Sequence, residues 1–61
     1  MNAKEIIKKL LAEGFTIKHQ TGSHIQMTNG VRHTTVPDHG KKDIGIGLLK
    51  SIERQSGIKL K

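Results

Sequence analysis

The chain has 61 residues, of which 33% are apolar, and it contains one Phe, no Trp or Tyr and no Cys. The hydrophobic core of so short a chain is only marginally stable. Because there is no Cys, the chain cannot form disulfides, thiolate metal sites or a cysteine nucleophile. Eleven Lys and Arg residues against five Asp and Glu give a net charge of +6, which favours a polyanionic partner, nucleic acid before an acidic protein. No apolar run approaches the ~18 residues of a membrane span, and Met1–Leu11 is amphipathic rather than a signal-peptide core, so we expect a soluble cytoplasmic protein without a membrane partner.

The first segment carries the pattern of a capped helix. Asn2 is a favoured N-cap residue, and Glu5 stands three positions later at capping-box spacing. Apolar residues recur at the spacing of one helical stripe, namely Ile6, Ile7, Leu10 and Leu11. With Gly14 suited to the position after the helix, the sequence predicts a helix over Ala3–Glu13.

Three alternating segments follow. Phe15–Gln20 predicts a strand with Phe15 and Ile17 inward and with Thr16, Lys18 and Gln20 outward, and Thr21-Gly22 breaks it. Ser23–Thr28 predicts a second strand and Val31–Val36 a third, which Pro37 ends. Asn29-Gly30 between them is typical of a two-residue type I′ hairpin.

That two-residue loop would set the register of the hairpin. It pairs Met27 with Arg32 and Ile25 with Thr34, which puts Ile25, Met27 and Val36 on one face together with Arg32. The opposite face would carry polar side chains, namely His24, Gln26, Thr28, His33 and Thr35. In this register His33 lies diagonal to His24 at roughly 7–8 Å.

The last part of the chain predicts a loop over Pro37–Gly47 and a helix over Leu48–Ser56 that ends at Gly57. Gly47-Leu48-Leu49 at its start offers no capping hydroxyl. Ile58 and Leu60 could fold back onto this helix. We therefore predict a single α+β domain over residues 1–61 in the order α-β-β-β-α, with a three-stranded antiparallel sheet, both helices on one face and an open, polar and partly basic opposite face.

Four histidines, His19, His24, His33 and His39, admit three interpretations. Any of them can be an ordinary surface residue. A metal site has little support, because the chain has no Cys and no His-x3-His spacing. In the third interpretation, an imidazole acts as the base that removes the proton from a ribose 2′-hydroxyl in RNA cleavage. Gly22-Ser23-His24 suits this role, since the glycine permits close approach of a phosphate and the serine adds a hydroxyl donor.

The order of short motifs gives a more specific indication. Gly14-Phe15, Gly22-Ser23-His24, Val36-Pro37-Asp38-His39 and Leu49-x-x-Ile52-x-x-Gln55-x-Gly57-Ile58 occur at close spacing, and together they resemble the HicA family, the toxins of HicA–HicB toxin–antitoxin pairs. The resemblance implies a fold like a double-stranded-RNA-binding domain and a ribosome-independent mRNA interferase that a HicB-like antitoxin neutralises. It also implies that His24 is the catalytic histidine, flanked by Gly22 and Ser23. No set of metal ligands is visible in the sequence, so we expect no cofactor.

The expected RNA contacts surround this histidine. Lys18, Lys41 and Lys42 could bind phosphate, and His33 is the same-face candidate for the acid or for a further RNA contact. A non-catalytic RNA-binding module would explain the charge and the element order without using His24. A domain whose basic surface meets an acidic protein is the third alternative. The chain could form a homo-oligomer or, as the resemblance implies, a hetero-oligomer with the antitoxin.

Overall fold

The computed structural model describes residues 1–60, which form two helices and one three-stranded antiparallel sheet. The elements in chain order are α1 (Ala3–Ala12), β1 (Thr16–Thr21), β2 (His24–Thr28), β3 (His33–Pro37) and α2 (Ile46–Ser56). The strands lie in the sheet in the order β1-β2-β3. The predicted α+β class and α-β-β-β-α order are therefore confirmed. Neither helix in residues 1–60 is long and apolar enough to cross a membrane.

The start of α1 has the predicted capping box. The Asn2 side-chain oxygen accepts a hydrogen bond from the Glu5 backbone N–H at 3.0 Å, and the Glu5 carboxylate accepts from the Asn2 N–H at 2.9 Å. Two N–H groups that the helix itself leaves without partners are thereby satisfied. The helix ends at Ala12, and Glu13 is its C-cap.

One face of the sheet and the inner faces of both helices form the core. Buried apolar side chains come from every part of the chain: Ala3, Ile6, Leu10, Phe15, Ile25, Met27, Val36, Leu49, Ile52 and Leu60. Thr34 is also buried on β3, where its hydroxyl donates to the Gln55 side-chain oxygen at 2.9 Å. Because successive strand residues point to opposite faces, packing both helices on this side leaves the other side of the sheet uncovered.

The hairpin between β2 and β3 differs from the prediction. A type I′ turn requires a positive φ at both central residues, but no non-glycine residue in residues 1–60 has one. Instead the Asn29 side-chain oxygen accepts from the N–H groups of Val31 at 2.9 Å and Arg32 at 2.7 Å. This local bonding extends the loop to four residues, and Ile25 pairs with Val36 rather than with Thr34.

The two-residue shift in register keeps the predicted faces of β2 and β3, because side chains alternate with a period of two. It does remove Arg32 from the sheet, although the Arg32 side chain still reaches α2 on the predicted helix-facing side. Arg32 lies in the loop, and its guanidinium donates to the carbonyl of Arg54 at 3.3 Å near the end of α2.

Strand β1 is an edge strand and is less buried than predicted. Ile17 pairs with buried Met27 and so shares the core side, but it is 50% exposed because it lies at the margin of the sheet. A β-bulge at Lys18 then interrupts the ladder, so that Gln20 pairs with buried Ile25. The predicted outward orientation of Gln20 is therefore wrong, since directly paired residues share a face.

The C-terminal helix starts two residues earlier than predicted. It begins at Ile46, and its N-cap Gly45 makes no side-chain hydrogen bond, as expected for a start without a hydroxyl. The predicted fold-back of the following residues is confirmed, since Leu60 is buried in the core. The Leu60 N–H also donates to the Glu53 carboxylate at 2.8 Å.

Candidate nucleic-acid interface

The uncovered side of the sheet, called here the open face, is lined by polar side chains. The pairings of the three strands assign to it Thr16, His19, Thr21, His24, Gln26, Thr28, His33, Thr35 and Pro37. All of these residues are exposed or half-exposed. None of them is acidic, so the open face presents hydrogen-bonding groups and imidazoles to a ligand without repelling a polyanion.

His24 is the first residue of β2 and follows a two-residue turn formed by Gly22 and Ser23. Gly22 has a φ of +58° while Ser23 does not share that sign, the pattern of a type II′ hairpin, which requires glycine at its first central position. Two hydrogen bonds hold the turn. The Gln20 side-chain amide donates to the Gly22 carbonyl at 3.1 Å, and the Asp38 N–H donates to the Ser23 carbonyl at 2.6 Å.

The backbone of His24 is therefore fixed while its side chain is free. It pairs with Thr21 on β1 and with Pro37 on β3, and its imidazole is exposed with no hydrogen-bond partner among residues 1–60. A ribose or phosphate could approach this ring from solvent without any movement of the core. Such access is the first geometric requirement for a general base.

His33 does not lie beside His24, so its predicted diagonal position is wrong. It pairs with Thr28 at the far end of the hairpin. Four residue steps along β3 separate His33 from Pro37, the partner of His24, which amounts to roughly 13 Å at 3.3 Å per residue. His33 is still exposed on the open face, but this separation does not favour it as a second group that acts on the same phosphodiester as His24.

The bulge at Lys18 brings a different histidine to the open face. Strict alternation from Phe15 and Ile17 would turn His19 and Thr21 inward, yet His19 pairs with exposed Gln26 and therefore points outward. Regular alternation of side chains does not predict this arrangement. The sequence does carry a sign of the bulge. His19 and Thr21 are polar at positions that regular alternation would bury, which indicates that the alternation is interrupted before them.

The lysines predicted to bind RNA are exposed, and they lie on β1 and in the loop that follows β3. Lys18 is the extra residue of the bulge on the exposed edge strand. Lys41 and Lys42 are exposed in the loop between β3 and α2. That loop leaves the sheet at Pro37, opposite His24, so the Cα atom of Lys41 is at most about 14 Å from that of Pro37.

Both ends of the lysine loop are held to the domain. At its start the Asp38 N–H donates to the turn before His24, and the Asp38 carboxylate accepts from the Gly40 N–H at 3.0 Å. At its end the Ile44 N–H donates to the Met1 carbonyl at 2.7 Å. These hydrogen bonds fix the two ends of the loop that carries Lys41 and Lys42. Within residues 1–60, no three His, Cys, Asp or Glu side chains lie close enough to hold a metal ion.

Comparison with known proteins gives two findings. Residues 3–58 match a family described as the HicA toxin of bacterial toxin–antitoxin systems. The chain is also 39% identical over 59 residues to a protein of Pseudomonas fluorescens (strain Pf0-1) named "Probable mRNA interferase HicA", with 97% of this chain and 98% of that protein covered. Both matches include the turn, His24 and the lysine loop.

Proposed function

The chain belongs to the HicA toxin family, and we propose from this premise that it is the toxin of a toxin–antitoxin pair and acts as an mRNA interferase. In this proposal it is an endoribonuclease that cleaves RNA without the ribosome and so blocks translation. The name of the Pseudomonas fluorescens relative supports the activity. The observation that carries the proposal is the exposed imidazole of His24 beside a glycine turn on the open face.

His24 is the proposed general base. Its imidazole removes the proton from a ribose 2′-hydroxyl, and the resulting oxygen attacks the adjacent phosphorus. Histidine suits this step because its neutral form is populated near physiological pH. The attacking group belongs to the substrate, so the reaction requires neither a cysteine nor a bound water. We therefore propose that it proceeds without a metal ion or other cofactor.

Groups around His24 supply the proposed contacts to the RNA backbone. The Gly22 backbone allows a phosphate to come close, and the Ser23 hydroxyl can donate to it. Lys18, Lys41 and Lys42 supply positive charge from the edge strand and the loop. His33, at the far end of the open face, is assigned a contact to a neighbouring nucleotide rather than a part in bond cleavage.

The family membership also supports a protein partner. We propose that a HicB-like antitoxin neutralises the toxin by binding over the open face, where it would shield His24 from RNA. A partner of this kind would also stabilise a 61-residue domain whose own core is small. Its contact surface would include acidic side chains, which complement the net charge of +6.

The test compares the parent protein with His24→Ala on a synthetic RNA in the absence of ribosomes. We expect the variant to remain folded, since His24 is exposed, to keep its affinity for RNA and to lose cleavage by roughly 10²–10⁴-fold. Expression of the parent, but not of the variant, should arrest growth. Purifying both proteins identically controls for a contaminating nuclease.

The alternative of a non-catalytic RNA-binding module predicts a different outcome. If the parent binds RNA and leaves it intact, or if His24→Ala cleaves as fast as the parent, the proposed assignment of His24 is wrong. A domain that serves only protein contacts would show no RNA binding with either protein.

A further inference from the structure

His19 and His24 lie close together on the open face although five positions separate them in the chain. His19 pairs directly with Gln26, and His24 stands two residues before Gln26 on the same strand. The two histidines are therefore diagonal neighbours, which in an antiparallel ladder corresponds to about 7–8 Å between their Cα atoms. This proximity depends on the bulge, because an unbroken alternation would turn His19 to the core side.

Both imidazoles are exposed, and neither has a hydrogen-bond partner among residues 1–60. Two rings at this spacing can contact opposite sides of one phosphodiester. Cleavage by a 2′-hydroxyl needs such an arrangement, since one group must accept a proton from the attacking oxygen and another must donate a proton to the leaving oxygen.

We infer that His19 is the general acid of the reaction, a second catalytic residue that donates a proton to the 5′-oxygen of the leaving nucleotide. This inference rests on the proposed function, in which His24 is the base. The bond from the 2′-oxygen to phosphorus forms while the bond from phosphorus to the 5′-oxygen breaks. His24 gains the proton of the 2′-hydroxyl and His19 loses its own, so the products are a 2′,3′-cyclic phosphate and a 5′-hydroxyl.

The other groups near His24 are less suited to this role. The nine strand residues of the open face include no carboxylate, and His33 lies roughly 13 Å along β3 from the partner of His24. The rival donor is His39, which is exposed in the loop two residues after Pro37. His19 is favoured because a strand ladder fixes its distance and direction relative to His24, whereas His39 has no strand pairing.

The test uses two RNAs that differ at one atom. The cleavage site of the parent is first mapped on a synthetic RNA, and that RNA is then prepared with sulfur in place of the 5′-oxygen at the same bond. A thiolate leaves readily without a proton, so this substrate does not need a general acid. His19→Gln, His24→Gln and His39→Gln are assayed on both RNAs, and far-UV circular dichroism checks that each is folded.

We expect His19→Gln to lose roughly 10²-fold or more on the oxygen substrate and to cleave the sulfur substrate at close to the parent rate. His24→Gln should be impaired on both RNAs, because the base is needed in either case. A cyclic phosphate on the upstream product, seen by mass spectrometry, is also expected.

Three outcomes would overturn the inference. His19→Gln cleaves the oxygen substrate like the parent, or it is equally impaired on both RNAs, or His39→Gln shows the selective rescue in its place. The first two leave the proposed function intact as long as His24→Gln is inactive. If His24→Gln is fully active, or the parent cleaves neither RNA, the proposed function fails and the assignment of His19 fails with it.

Discussion

Gly22 offers a sharp test of the turn that positions His24. Its φ is +58°, and a Cβ atom built on it would meet nothing within 4 Å. L-Alanine at this position would therefore meet no steric clash with neighbouring residues, but its positive φ would destabilise the folded state by about 1–2 kcal/mol. D-Alanine favours a positive φ, and by restricting the unfolded chain it should stabilise the protein by about 0.4–1 kcal/mol.

These energies are large for a domain of this size. A core this small supports a free energy of unfolding of about 3–5 kcal/mol, and each 1 kcal/mol shifts the Tm of a 60–100-residue domain by about 4–8 °C. We therefore expect L-alanine at Gly22 to lower the Tm by about 4–16 °C and D-alanine to raise it by about 2–8 °C.

The chain has 61 residues, so all versions can be made by chemical synthesis. Thermal unfolding should be followed by far-UV circular dichroism, because the chain has no Trp or Tyr to report by fluorescence. Gly47 is the matched control. It lies in α2, has no positive φ and also has free space around its Cβ position, so L-alanine should stabilise there and D-alanine should destabilise.

D-Alanine should therefore give the higher Tm at position 22, and L-alanine should give the higher Tm at position 47. If L- and D-alanine at Gly22 give the same Tm, or if the L form is the more stable, then the turn before His24 does not have the described conformation. An equal response at Gly47 would point instead to an unstructured helix start.

Three further predictions concern the core, the charge and the metal. Leu10→Ala should cost about 2–5 kcal/mol in urea unfolding, and Leu11→Ala about 1 kcal/mol or less, since the exposed fractions are 0% and 48%; equal costs would contradict the packing of α1. In the His24→Ala background, Lys41→Gln should make the plot of the logarithm of the RNA association constant against log salt less steep by about 0.7 for single-stranded RNA. Lys8→Gln on α1 should not change this slope. A chelator should leave RNA cleavage unchanged, and a loss of cleavage that a divalent ion restores would contradict the proposed metal-independent reaction.

The elements that sequence predicted well depend on local and periodic signals. The capping box of α1 involves only neighbouring residues, Asn2 and Glu5, so its pattern can be read directly. The faces of β2 and β3 follow from the alternation of side chains, which survives a register shift of two residues. The exposure of His24 on the open face was predicted for this reason, and the structure confirms it.

The errors arose where one hydrogen bond or one extra residue decides the geometry. The Asn29 side chain accepts two backbone N–H groups and lengthens the hairpin loop, an outcome that competes closely with the two-residue turn that Asn-Gly favours. The bulge at Lys18 depends on how an edge strand fits its neighbour, which composition does not encode. Because of the longer loop, His33 lies farther from His24 than predicted, and because of the bulge, His19 lies closer to His24 than predicted.

The bulge at Lys18 in β1 also affects the tendency of this protein to aggregate. The outer side of β1 faces no other strand of the described chain, and an unpaired strand border readily recruits another polypeptide into a growing fibril. An unpaired residue there disrupts the regular spacing of N–H and C=O groups, and the charge of Lys18 discourages stacking against an identical border. Deleting Lys18 would remove the bulge and leave a regular edge strand. We expect this deletion variant to aggregate at concentrations at which the parent protein does not.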